Sequence, residues 1–266
     1  MTADEYLLDN RERQAGSRFD ALAAVFDAVT RRHVTALGIE RGWRCWEVGA
    51  GGPSVAAWLA EQAGPEGAVL ATDIDVSWME GAGAPDVQVR RHDVARDAPP
   101  GEEVFDLVHA RLVLVHVPER DEALRRMAAS LRPGGHLLVE DFDIDLQPLA
   151  CPHATGPEHE RAERIRRGFL ALLAGRGVDA RYGRTLPAAL RGLGLQDVGA
   201  DAFFPVAHPA AAALDAANVT QVREGLVAQG HASEEEIDDH LAALAAGALD
   251  VCVPPLVSAW GRKPAA

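Results

Sequence analysis

The stretch Trp46-Glu47-Val48-Gly49-Ala50-Gly51-Gly52-Pro53-Ser54 constrains the fold most, because a short apolar run ends in an acid, enters a glycine-rich turn and then starts a helical pattern. Glycines there remove Cβ atoms, so a ligand could lie against bare backbone beside the positive end of a helix. A tight βα turn with no ligand fits the same residues.

The chain continues as alternating units. Strands are predicted at 44–48, 68–73, 87–91, 105–109 and 136–141, with helical runs at 55–62, 78–81 and 119–131. Gly64-Pro65-Glu66-Gly67, Pro99-Pro100-Gly101 and Pro133-Gly134-Gly135 punctuate the second, fourth and fifth strands. This order predicts a parallel α/β sheet whose strand C-termini share one edge, where such folds bind ligands. Three regions follow. Residues 1–42 form a lid or packing segment, with Phe19, Leu22, Val25, Phe26 and Val29 at helical spacing; residues 43–150 form the core. Residues 151–266 add strands at 197–204 and 251–260, with helical inserts at about 154–180 and 207–250.

Asp73, 24 residues after Gly49, closes the second predicted strand, where a carboxylate can accept both hydroxyl protons of a ribose. Asp75, two residues on, suits a helix cap better. Asp93 follows the third strand and could accept from an exocyclic adenine amine while Val94 meets the ring edge; an Asx turn is its structural alternative.

A formal net charge of -14, with no basic cluster to offset it, disfavours nucleic acid and anionic membranes as partners. Cys45, Cys151 and Cys252 are too few and too dispersed for a disulfide framework, and the acidic N-terminus lacks a signal peptide's features. A cytoplasmic location is the expectation.

The Glu-x-Gly-x-Gly turn, Asp73, Asp93, the strand Phe105-Asp106-Leu107-Val108-His109 and Leu131-Arg132-Pro133-Gly134-Gly135 together resemble class I S-adenosylmethionine (SAM) dependent methyltransferases. Tyr6-Leu7-Leu8-Asp9-Asn10 and Arg181-Tyr182-Gly183-Arg184 are similar to bacterial small-molecule members. The resemblance implies a Rossmann-like α/β fold with a seven-stranded, mostly parallel sheet, an antiparallel last strand and helical inserts over the methyl acceptor. It implies that Gly49, Ala50 and Gly51 line the methionine part of SAM, that Asp73 with Ile74 holds the ribose, and that Asp93 and Val94 meet adenine. Glu47 would orient the turn or reach the amino end. Pro53 departs from the family's third glycine but suits the first helical position.

For chemistry, His109 at the predicted end of the fourth strand is the first candidate base and a cofactor neighbour, with His116 and Asp141 next. Arg111 and Asp143 are candidates for holding the acceptor. His153, Glu158, His159 and Glu160 lack a ligand spacing, so no metal is predicted. The expected reaction is O-, N- or C-methylation of a small molecule, a specialised metabolite being one such acceptor, by a protein that could act as a homodimer. A SAM-binding protein without transfer is one alternative. A nicotinamide oxidoreductase is another, disfavoured by Ser54 where GxGxxG needs glycine.

Overall fold

The computed structural model describes residues 7–8, 13–80, 86–147, 150–153 and 156–265. Seven strands, β1(Arg44–Val48), β2(Ala68–Asp73), β3(Val87–Arg91), β4(Phe105–Arg111), β5(Leu131–Phe142), β6(Gln196–Phe203) and β7(Leu256–Arg262), form one sheet in the order β3-β2-β1-β4-β5-β7-β6. The first five run parallel, and β7 lies antiparallel between β5 and β6. Strand order reverses between β1 and β4, which opens the crevice expected of such a sheet.

Helices cover both faces: α1(Arg13–Ala36), α2(Ser54–Ala63), α3(Ser77–Glu80), α4(Arg120–Ser130), α5(Pro157–Gly175), α6(Tyr182–Gly192), α7(Ala211–Gln221), α8(Arg223–Ala228) and α9(Glu234–Ala245). One sheet face packs Trp46, Val108 and Leu137 against Leu186 and Leu190 of α6, and the other packs Cys45, Leu107 and Leu138 with Leu59 of α2. In a third cluster Phe26 of α1 meets Phe142 and Phe203 at 5.6 and 6.2 Å between ring centroids, with Leu214 of α7 in the same cluster. Burial of such apolar side chains is the main source of stability.

Several boundaries differ from the sequence reading. β4 runs two residues beyond 109, to Arg111. β5 begins at Leu131, upstream of its predicted start at 136. β7 starts at Leu256 rather than 251, because Pro254 and Pro255 have no N–H to give a ladder. The 207–250 insert divides into three helices, the last held by a capping box between Ser233 and Glu236. Asp75 accepts from Ser77 N–H at 2.9 Å at the start of α3, as read from the sequence. Gly81 of that predicted run, and residues 6, 9 and 10 of the Tyr-Leu-Leu-Asp-Asn stretch, lie outside the described residues.

Helix α6 had no counterpart in the sequence reading. A Cβ on Gly183 would come within 2.8 Å of the Asp141 carbonyl oxygen and 2.9 Å of the Phe142 carbonyl carbon, so glycine alone lets the helix start lie on the end of β5. Arg184 then clamps buried Asp143 through Nε and Nη2, the latter at 2.6 Å. Gly183→Ala is expected to destabilise the protein by about 1–3 kcal/mol, since backbone must move. Chemical denaturation measures this; an unchanged midpoint would remove the packing argument.

Among the described residues no helix is long and apolar enough to cross a membrane.

Candidate functional site

A cavity opens at the C-terminal edge of the sheet. Its floor is the turn after β1. Gly49 and Gly51 have φ of 63° and 61°, and a Cβ on either would drive into Val113 (2.3 Å) or Phe19 (2.6 Å), so both glycines are required. The turn's N–H groups are turned inward. Ala50 N–H donates to Thr72 O at 3.0 Å, Gly51 N–H to Asp73 Oδ2 at 2.9 Å, and Gly52 N–H to Ala50 O at 2.6 Å. Pro53 precedes the first residue of α2 as its cap and contributes no N–H.

Asp73 is buried at the end of β2, and Asp75 N–H also donates to it, at 3.0 Å. Burial pushes its carboxyl pKa up, while the hydrogen bonds from Asp75 and Gly51 pull it down. Ile74, Asp93 and Val94 complete this side of the wall. Asp93 Oδ1 accepts from Ala95 N–H at 2.9 Å, which is the Asx-turn geometry, and the residue still faces the cavity.

Glu47 also lines the cavity, but its carboxylate begins a buried polar chain. Glu47 Oε2 meets His109 Nδ1 at 2.6 Å, and His109 Nε2 meets Glu140 Oε2 at 3.3 Å. Glu140 Oε1 accepts from Ser258 Oγ at 2.7 Å and meets His33 Nδ1 at 3.2 Å, and Thr30 Oγ1 donates to Glu140 Oε2. His33 Nε2 reaches Asp201 at 3.0 Å, near the surface. Burial opposes a charge on His109, but Glu47 and Glu140 outweigh it and raise its pKa to about 9. Burial likewise works against the Glu140 carboxylate, yet His109 and His33 hold its pKa well below the usual range.

The placement expected for His109 is therefore corrected. Because β4 continues to Arg111, His109 lies inside the sheet, fully buried and outside the cavity wall, with both ring nitrogens engaged. Asp141 and Asp143 also stand behind the wall. Asp141 Oδ2 accepts from Val115 N–H at 3.3 Å and supports the 3₁₀ turn Leu114–His116, while Asp143 is committed to Arg184. Arg111 does line the cavity, but Nη2 donates to Asp27 at 2.9 Å and Nη1 to Thr30 at 3.0 Å, so its charge serves α1. His116 lines the cavity as well. Burial, reinforced by Arg18 and Arg120, lowers its pKa to about 3.

Most of the opposite wall comes from residues that sequence reasoning did not single out, although Phe169 and Leu173 stand on the apolar side of the helical insert predicted at about 154–180. Ala162, Arg166, Phe169 and Leu173 form one stripe of α5, and Ala211, Leu214, Asp215 and Asn218 form one stripe of α7. Both follow helical i, i+3/i+4 spacing, a detectable signal, but the sequence does not say which face of a helix looks inward. Arg18, Phe19 and Leu22 of α1 close the remaining side.

A family model described as a methyltransferase domain matches residues 10–199. The chain belongs to that methyltransferase family. Within it, the chain is 29% identical over 175 residues to methyltransferase str2 of Strobilurus tenacellus, covering 64% of this chain and 59% of that one. It is 32% identical over 155 residues to demethylmenaquinone methyltransferase of Mycobacterium tuberculosis, covering 53% and 64%. The match to methyltransferase GfsG of Streptomyces halstedii is 29% over 138 residues and covers 48% of each chain. These alignments span about half to two thirds of the relatives' lengths. Among solved structures, phosphoethanolamine N-methyltransferase 2 of Haemonchus contortus superposes with a TM-score of 0.59 at 16% identity, covering 97% of this chain and 60% of that one. The YcgJ protein of Bacillus subtilis superposes at 0.55 and 14% identity, covering 88% and 97%. These superpositions show a shared fold.

Proposed function

We propose that the protein is a SAM-dependent methyltransferase whose acceptor is a small molecule held between the glycine turn and the stripes of α5 and α7. The observation that carries this reading is the turn itself, which keeps its N–H groups for internal partners while presenting Asp73 and Glu47 at the cavity. A dinucleotide's pyrophosphate needs those donors. A nucleoside whose other end carries an ammonium needs acceptors instead, and carboxylates supply them. Asp73 would take the ribose hydroxyls, Glu47 the amino end, and Ile74, Asp93 and Val94 the adenine.

SAM supplies an electrophilic methyl group on a sulfonium, transferred to a nucleophile by in-line displacement. This chain's residues would bind and align. Glu47 is held in place by His109, a positioning residue, and the apolar stripes exclude water. His116, neutral across the physiological range, would orient rather than accept a proton. Relatives named for demethylmenaquinone methylation, and a structural neighbour holding phosphomonomethylethanolamine and S-adenosylhomocysteine, support a small-molecule acceptor.

Calorimetry with S-adenosylhomocysteine and with NADH tests the cofactor. Binding of the first alone is expected; binding of NADH alone would reverse the reading. A second expectation concerns pH. Across about pH 5 to 8 the turnover profile should carry no inflection from His116, so the wild-type and His116→Gln profiles should have the same shape. An inflection near neutrality present only in the wild type would make His116 a base.

A further inference from the structure

Arg166 lies on the α5 stripe between Ala162 and Phe169, half-buried in the cavity wall. Its Nη2 donates to the Gln147 carbonyl, and no carboxylate oxygen among the described residues lies within 4.0 Å of the guanidinium. Nearby acids are engaged elsewhere: Asp215 Oδ2 meets His240 Nε2 at 2.7 Å, and Glu163 Oε2 accepts from Ala150 N–H at 2.7 Å. Arg111, by contrast, is ion-paired with Asp27 at 2.9 Å. Arg166 shares the cavity lining with the apolar side chains of Phe169, Leu173, Leu214 and Val253, and with Asp215 and Asn218 of α7. Burial lowers the pKa of Arg166 more than the attraction of Glu163, Cys252 and Asp215 raises it, so the charge that arginine keeps is only partly compensated. A cation held like this gains most from an oxyanion, which a guanidinium binds through two parallel N–H bonds.

We infer that the methyl acceptor is a predominantly apolar molecule carrying one oxyanion, and that Arg166 receives that group. The inference rests on the acceptor occupying the space under α5 and α7. It makes Arg166 a specificity determinant, with the apolar stripe binding the body of the acceptor and the guanidinium fixing which end approaches the glycine turn.

The test uses protein saturated with S-adenosylhomocysteine and two fluorescent probes on one aromatic frame: 1-anilinonaphthalene-8-sulfonate, and N-phenyl-1-naphthylamine, which lacks the sulfonate. Wild-type protein is expected to prefer the sulfonate by about 10-fold or more. Arg166→Gln should abolish that preference with little change for the neutral probe. Arg167→Gln, on the exposed face of the same helix, should keep it. Arg166→Lys, which retains charge but not the fork, should lower the preference by about threefold or more, and this variant decides if the glutamine protein does not fold. Equal affinity for both probes in the wild type, a preference that survives at Arg166 variants, or its equal loss at Arg167 would overturn the inference. Calorimetry on the same samples separates the two levels. Cofactor-product binding without the probe preference defeats this inference alone, whereas no binding of S-adenosylhomocysteine defeats the methyl-transfer reading and this inference with it.

Discussion

Asp73→Ala is expected to weaken S-adenosylhomocysteine binding by about 100-fold or more, because hydrogen bonds to a charged group contribute about 1.5–3 kcal/mol each and a ribose offers two hydroxyls. The variant should also lose some stability. Gly51 N–H and Asp75 N–H both donate to this carboxylate, and its removal leaves two turn amides without their acceptor. Asp73→Asn keeps one acceptor oxygen, so it should hold the turn better than alanine while still binding weakly. Since burial raises the Asp73 pKa, affinity should fall on acidification at a higher pH than for a solvated aspartate. Calorimetry, with thermal unfolding on the same samples, separates the binding and folding losses. Unchanged affinity in the alanine variant would defeat the assignment of Asp73.

The second large effect is expected at Glu140, which takes hydrogen bonds from Thr30, His33, His109 and Ser258 at the centre of the buried chain. Glu140→Gln should destabilise the protein by about 3–5 kcal/mol, the cost of removing one partner from a buried charged network. Its pH signature has a definite sign. His109 rises from an ordinary 6.5 to about 9 on folding, so its contribution is complete below about pH 6.5 and is lost as pH rises through about 9. Glu140 is depressed on folding, so its contribution is present above about pH 4.5 and fades as pH falls through its lower folded value. The network therefore stabilises most between about pH 4.5 and 6.5. Chemical denaturation of the wild type should show stability declining toward pH 9, and Glu140→Gln should flatten that decline. The same alkaline slope in both proteins would mean that the chain of His and Glu is not its source.

The central strands and the glycine turn were legible in the sequence because each is punctuated locally: apolar runs bounded by Gly and Pro, with Asp73 and Asp93 at strand ends. The seven-stranded sheet and the family follow from those same residues. What sequence could not resolve depends on two kinds of information that it carries poorly. The first is where a strand stops. Two further residues in β4 move His109 from the rim into the sheet, where Glu47 and Glu140 surround it. The second is which neighbour a polar group meets. Asp141 closes the predicted strand and Asp143 stands just past it, as substrate-binding acids would, yet the first supports the turn that carries His116 and the second anchors α6. Helix α6 was missed for a related reason. Tyr182, Leu186 and Leu190 do recur at helical i, i+4 spacing, but Pro187 interrupts that signal, and the defining contact, the backbone of β5 against Gly183, is not local.

The position of β7 sets an order of assembly. β6 pairs only with β7, which is separated from it by residues 204–255 and lies between it and β5. As the chain leaves the ribosome, β1 through β5 can pair in turn, but β6 has no strand to join until all three helices after it have been made. Until then β5 also presents an open edge, and Glu140 lacks Ser258. Closure of the sheet is thus a late event in synthesis, and it completes the shielding of the buried charges at the same moment.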